Sequence, residues 1–286
     1  MASRPRTLPA AVAPVFVGTA LAEYQNQFHW LRFVATLLGA ILIQVGANLS
    51  NDYSDARRGA DTEDRLGPVR VTAGGLVPPR QVLIATYVTF ALAVLVGVYL
   101  IAVAGWVLLA IGAASIAAGV LYTGGPRPYG YEGLGEVFVF LFFGIVAVAG
   151  TYFVQTKTVD WQAFALAVPV GLPVTAILVV NNTRDIDTDR RAGKRTLAVR
   201  MGRERSRRFY AALLAGAYVL LVPTLLAGDF QLWLLLPLIS VPLALRLTQT
   251  MFETSHGPAL NGVLAGTGQL QLAFCVLLSA GLLLSK

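Results

Sequence analysis

The 286-residue chain contains one cysteine, two histidines and three methionines, and only 13% of its residues are charged. The lone cysteine, Cys275, excludes a disulfide framework and a thiolate metal centre. The two histidines, His29 and His256, are isolated, so no imidazole-rich metal site and no Ser/His/Asp or Cys/His catalytic set is discernible. So low a charge content excludes an ordinary soluble domain. What fills the chain is apolar: 56% of residues are hydrophobic and the mean hydropathy is +0.67.

A helix needs about 20 apolar residues to cross a bilayer core. Nine such runs are legible, near 8–25, 29–50, 81–101, 103–122, 134–156, 161–182, 208–227, 231–251 and 259–284. The expected fold is all-α: a polytopic membrane protein of about nine transmembrane helices around a central cavity, with residues 1–286 forming one domain. The first run is interrupted by Pro9 and Pro14. Its basic N-terminal arm superficially resembles a signal peptide, but the run is long and lacks a cleavage site, so it is read as a retained helix. With the N-terminus in the cytoplasm, that arm and the loops after alternate spans hold 19 of the 22 Lys and Arg residues. Only Arg32, Lys157 and Lys286 fall on the other side. This asymmetry places the charged loops, near 53–80, 123–133 and 183–207, on the cytoplasmic face of a bacterial-type inner or plasma membrane. The net charge of +7 comes from those loops. No nucleic-acid motif accompanies it, so membrane lipids are the expected macromolecular surroundings, with no nucleic acid and no obligate protein partner.

Two polar segments stand out, Asn48-Leu-Ser-Asn-Asp-Tyr-Ser-Asp55 and Asn181-Asn-Thr-Arg-Asp-Ile-Asp-Thr-Asp189. Each ends a long apolar run, and Asn-x-x-x-Asp recurs in both, a weak internal echo compatible with two helical halves around a shared cavity. Helical spacing aligns Asn48, Asp52 and Asp55 on one face, and Asn181, Asp185 and Asp189 on another, leaving Asp187 aside. Near a helix C-terminus the macrodipole is negative, so these carboxylates are unfavourable unless something cationic binds. Pairing with nearby arginines or simple hydration is the bland explanation for any one of them; two aligned sets on one side favour a site. Oxygen ligands without His or Cys select Mg²⁺, with Mn²⁺ as a substitute. Asp61, Glu63 and Asp64 lie deeper in the first loop, and Glu63 reads as solvated surface.

Arg65, Arg70, Arg127, Lys194 and Arg195 lie beside turn glycines or near the carboxylates, where they could clamp phosphate oxygens. The run Arg203, Arg205, Arg207 and Arg208 suits anionic lipid headgroups better. Among the aromatics, most anchor or pack, while Tyr122 and Phe138 are candidates for stabilising an allylic cation through their ring faces. The middle loop reads Tyr122-Thr-Gly-Gly-Pro-Arg-Pro-Tyr-Gly-Tyr-Glu-Gly-Leu-Gly-Glu136.

These motifs resemble those of the UbiA superfamily of intramembrane prenyltransferases. Asn48-x-x-Asn-Asp52-x-x-Asp55 with Gly59-x-Asp61-Thr and Arg65-x-Gly-Pro-x-Arg70 resembles the first aspartate-rich motif, and Asn181-Asn-x-Arg-Asp185-x-x-x-Asp189 with Ala-Gly-Lys-Arg-Thr-Leu-Ala-Val199 the second. The wording is most similar to the MenA branch, which joins a polyprenyl chain to 1,4-dihydroxy-2-naphthoate in menaquinone synthesis. The resemblance implies two Mg²⁺ ions held by Asp52, Asp55, Asp185 and Asp189, assisted by Asn48 and Asn181. Those ions would grip a polyprenyl diphosphate, which ionises to an allylic cation; the naphthoate attacks, and CO₂ and diphosphate leave to give demethylmenaquinol. The second aspartate of the first motif comes one residue earlier than the broader family pattern, so either Asp55 or Asp61 supplies the later metal contact. Other acceptors such as 4-hydroxybenzoate share the broad pattern. A cation-coupled secondary transporter is the alternative of another class, disfavoured because the acidic sets lie at the membrane edge rather than at mid-bilayer.

Overall fold

Apolar runs separated by Gly- and Pro-rich breaks fold as helices because lipid offers the backbone no hydrogen-bond partner. A computed structural model describes residues 4, 7–60, 66–67, 70–228, 230–254 and 257–286, and among these no strand occurs. In chain order the helices are α1 (Leu8–Tyr24), α2 (Trp30–Arg57), α3 (Pro79–Ala104), α4 (Val107–Leu121), α5 (Gly135–Thr156) and α6 (Trp161–Arg184). Two short helices follow, α7 (Ile186–Arg191) and α8 (Leu197–Met201), then α9 (Arg203–Ala227), α10 (Leu232–Glu253) and α11 (Gly257–Leu284).

Seven of these are long and apolar enough to cross a membrane: α2, α3, α5, α6, α9, α10 and α11. The sequence count of nine included two runs that fold as shorter helices, α1 with 17 residues and α4 with 15. At a rise of about 1.5 Å per residue, α4 is roughly 22 Å long, short of a hydrocarbon core of about 30 Å. The shortening has a local cause. Gly105, at φ +103°, ends α3, and the Thr-Gly-Gly-Pro turn after Tyr122 stops α4.

Helix α6 is the buried axis, with 67% of its apolar window enclosed against 11% for α3, whose faces remain open to lipid. It packs against α5, α9 and α11, while α1 fills the space between α5 and α11. Leu21, Leu166, Val170, Phe274 and Leu278 form the centre of the larger core. Contact between α5 and α6 depends on two glycines. A Cβ on Gly144 would lie 2.7 Å from the Gly171 Cα, so the backbones touch where any side chain would part them. In α5 the stretch Phe140–Val146 is π-helical, a local widening that resets the register of the aromatic residues on either side.

The end of the bundle remote from the charged loops is closed by a satisfied polar network. Tyr152 donates to Gln25 Oε1, and Gln25 Nε2 donates to Asp160 (3.0 Å) and Gln162 (2.9 Å). Gln162 in turn donates to the Gly228 carbonyl at 2.7 Å, joining α1, α5, α6 and the turn after α9. The three basic residues that the count of Lys and Arg put on the other face are all at this end: Arg32 donates to the Gln155 carbonyl, Lys157 caps α5, and Lys286 pairs with Glu23.

Candidate active site

Both polar segments reach the same end of the bundle, but they end differently. Helix α2 continues through Arg57, so Asn48, Asp52 and Asp55 do share one buried face. Helix α6 stops at Arg184, with Asp185 as its C-cap at φ −95° and ψ 8°, and α7 restarts at Ile186. The second set therefore straddles a break.

Each of the four aspartates has a partner within the chain. Asp52, 2% exposed, accepts the backbone N–H groups of Val71 (3.2 Å) and Thr72 (3.0 Å), which fastens the loop after α2 over the helix end. Asp55, 1% exposed, accepts from Arg70 Nη2 at 2.8 Å and from the Tyr131 hydroxyl. Asp185 is held by Nε and Nη2 of its neighbour Arg184, at 2.8 and 2.6 Å. The Lys194 ammonium lies 3.9 Å from Asp55 Oδ1 and 3.9 Å from Asp189 Oδ1, so a single cation joins the two segments. The ring of Tyr131 sits 4.7 Å beneath that ammonium, a cation–π contact. The electrostatic demand of the helix ends is thus met here by the chain's own cations.

Among the described residues no three His, Cys, Asp or Glu side chains are grouped as a ready-made cation site. The donor set still suits a hard divalent ion. It consists of carboxylate and amide oxygens, and Lys194 marks a point between the two segments where positive charge is already bound. Asp52, Asp55, Asp185 and Asp189 could hold such an ion by exchanging their present partners for it. Asn48 donates to the Thr7 hydroxyl at 3.2 Å, and Asn181 Oδ1 accepts from Arg184 at 2.9 Å, so both amides are at the site's margin.

Of the predicted phosphate clamps, Arg70 and Lys194 are buried against Asp55, whereas the Arg127 and Arg195 side chains are exposed. Asp61 and Arg65 lie outside the described residues, as do Glu63 and Asp64. Asp187 is on the periphery, paired with Arg203 at 3.1 Å. Tyr122 meets Tyr129 edge-on at 5.4 Å, and Tyr129 stacks on Phe138 at 4.0 Å, giving an aromatic wall beside the carboxylates. Tyr122 is partly exposed as a residue, yet its hydroxyl is enclosed. That enclosure, with Glu136, Tyr129, Asp55 and Asp189 nearby, pushes its phenol well above the ordinary value, and burial does the same for Tyr129.

Sequence reasoning passed over Arg184, which is 2% exposed and also donates to Asn261 at 2.8 Å, tying α6 to α11. Its place in an Asn-Asn-x-Arg-Asp string was visible; that it would fold back onto its own neighbour was not. Tyr131 as an Asp55 partner and Glu136, which accepts from Asn182 at 2.9 Å, were missed because they come from a distant loop.

A profile described as the UbiA prenyltransferase family matches residues 11–261. The chain is 44% identical over 280 residues to a 1,4-dihydroxy-2-naphthoate octaprenyltransferase of Mycobacterium tuberculosis, covering 98% of this chain and 94% of that protein. It is 39% identical to the 1,4-dihydroxy-2-naphthoate octaprenyltransferase of Escherichia coli, over 99% of this chain and 94% of the relative. In fold it is similar to a UbiA homolog from Archaeoglobus fulgidus bound to DMAPP and Mg²⁺, with a TM-score of 0.67 at 16% identity over 99% and 98% of the two chains.

Proposed function

Because the chain belongs to the UbiA prenyltransferase family, we propose that it transfers a polyprenyl group from polyprenyl diphosphate to 1,4-dihydroxy-2-naphthoate, releasing diphosphate and CO₂ and forming demethylmenaquinol. The observation that carries the choice of acceptor is the 44% identity, over nearly the whole of both chains, to a relative named for that substrate. Membership of the family removes the transporter alternative.

Mg²⁺, when bound, neutralises the charge that develops on the departing diphosphate. Asp52, Asp55, Asp185 and Asp189 would hold it, with Asn48 and Asn181 at the margin; that an archaeal homolog of the same fold is bound to DMAPP and Mg²⁺ supports the metal itself. Lys194 and Arg70 carry positive charge into the same space and would hold diphosphate oxygens there. Arg184 keeps Asp185 and Asn181 in place from a fully enclosed position. The Tyr129–Phe138 stack offers ring faces to an allylic cation. The site end of the bundle faces the cytoplasm of a bacterial-type membrane, following the concentration of basic residues there.

The test is to incubate purified protein with Mg²⁺ and a short allylic diphosphate, separately with 1,4-dihydroxy-2-naphthoate and with 4-hydroxybenzoate, and to weigh the products. A prenylated, decarboxylated naphthoate is expected. Its absence, with product from 4-hydroxybenzoate instead, would overturn the acceptor assignment.

A further inference from the structure

The middle loop ends in Gly133-Leu-Gly-Glu136, a string to which neither the metal site nor the phosphate clamp assigns a role. Glu136 begins α5 and is 4% exposed. One carboxylate oxygen, Oε1, accepts from Asn182 Nδ2 at 2.9 Å, while the other, Oε2, is enclosed and has no hydrogen-bond partner. Burying a carboxylate costs several kcal/mol unless its oxygens are satisfied, on the order of the penalties for buried charges generally. A structural partner for Asn182 needs only an acceptor oxygen, which a glutamine would supply without a desolvated charge. The carboxylate's place also matters. The ring of Tyr122 packs against Gly135, where an added Cβ would come within 3.3 Å of it, and the Tyr122 hydroxyl is near enough to sense Glu136, Asp55 and Asp189 together. Glu136 therefore borders the aromatic wall at Tyr122, close to the carboxylates of the candidate metal site.

We infer that Glu136 is a further catalytic residue: its unpartnered oxygen takes the proton of the acceptor hydroxyl next to the carbon that is prenylated, and later returns it. The inference rests on the proposed naphthoate reaction. Transfer of the 1-hydroxyl proton to Oε2 leaves a naphtholate. The C–O bond to diphosphate breaks, diphosphate departs with that bonding pair, and an electron pair from C2 of the naphtholate forms the new C–C bond with the allylic cation left behind. The ring now has a ketone at C1 and both prenyl and carboxylate groups at C2. The C2–carboxylate bond breaks, CO₂ leaves, and the electron pair passes to the C1 oxygen, which recovers the proton from Glu136. No oxidant or reductant enters, and the glutamate ends as it began. Asn182 positions the carboxylate by holding the other oxygen.

The test is Glu136→Gln, which preserves size and the Asn182 hydrogen bond. General-base catalysis contributes about 10²–10⁴-fold, and kcat is expected to fall by about that factor. Binding of Mg²⁺ with a non-ionising allylic thiodiphosphate, followed by calorimetry, should stay at the wild-type level, and the acid limb of the pH profile should disappear. Glu136→Asp keeps the base, so it should keep that limb and exceed the amide variant in kcat; it decides the matter if the amide variant does not fold. Wild-type kcat and pH profile in Glu136→Gln, or loss of the acid limb in Glu136→Asp, would overturn the inference alone. Absence of naphthoate product from the wild-type protein would instead remove the function on which it rests.

Discussion

Arg184 commits its guanidinium to three side chains, Asp185, Asn181 and Asn261, without reaching solvent. Removing one partner of a buried ion pair leaves an uncompensated charge, at a cost of about 3–5 kcal/mol. Arg184→Met is expected to lower unfolding stability in detergent by that amount and to abolish turnover. Asp52→Asn should behave differently. Its one amide oxygen can keep the Thr72 N–H, but the amide nitrogen then faces the Val71 N–H, so stability should fall by about 1–3 kcal/mol, less than for Arg184→Met, while turnover falls by at least about 10²-fold, as expected when charge stabilisation of the leaving group is lost. The raised phenols make a prediction of opposite character. A folded-state pKa above the ordinary 10.0 means that the folded chain binds the proton more tightly than the unfolded one. The stability supplied by Tyr122 and Tyr129 is therefore intact below about pH 10 and declines as pH rises beyond it. Unfolding midpoints at pH 9 and pH 11 should differ less in the Tyr122→Phe, Tyr129→Phe variant than in the wild type. At this scale the sequence exposed Asp52, Asp55, Asp185 and Asp189 as unusual and Asp187 as peripheral. It concealed their partners. On a continuous helix neighbours such as Arg184 and Asp185 diverge, and only the break after Arg184 turns one onto the other.

At the scale of elements, the apolar runs translated directly into helices, because length and hydropathy are properties of the chain itself. Helix length is less legible where geometry overrides composition: the apolar run continues through Gly105 and up to Tyr122, yet a turn on either side leaves α4 with 15 residues. The π-helical turn of α5 and the contact between α5 and α6 had no signature beyond isolated glycines. That contact is testable. Gly144→Leu would push a side chain into the α6 backbone, and overpacking costs about 1–3 kcal/mol. The variant should lose folded yield in detergent, whereas an exchange at Gly97, which has open space around it, should not.

For the whole molecule, the remote end is closed mainly by amide and phenol hydrogen bonds, whereas the site end holds the buried ion pairs Arg70–Asp55 and Arg184–Asp185. The ion pairs make the fold independent of a bound metal. A chelator should therefore stop turnover, with Mg²⁺ restoring it, and leave the unfolding midpoint where it was. Adding Mg²⁺ together with an unreactive diphosphate should raise stability by about 2.7 kcal/mol at a hundredfold excess over Kd. Lys194 sets the terms of that entry. The four aspartates, offset by Arg70, Arg184 and Lys194, leave these seven side chains with one formal negative charge in excess. A divalent ion arriving alone would overshoot, and a naked diphosphate would be repelled by the excess of carboxylate. Two divalent ions with one triply charged diphosphate offset that excess, so donor and metal are expected to enter together, and calorimetric titration of either without the other should register little heat.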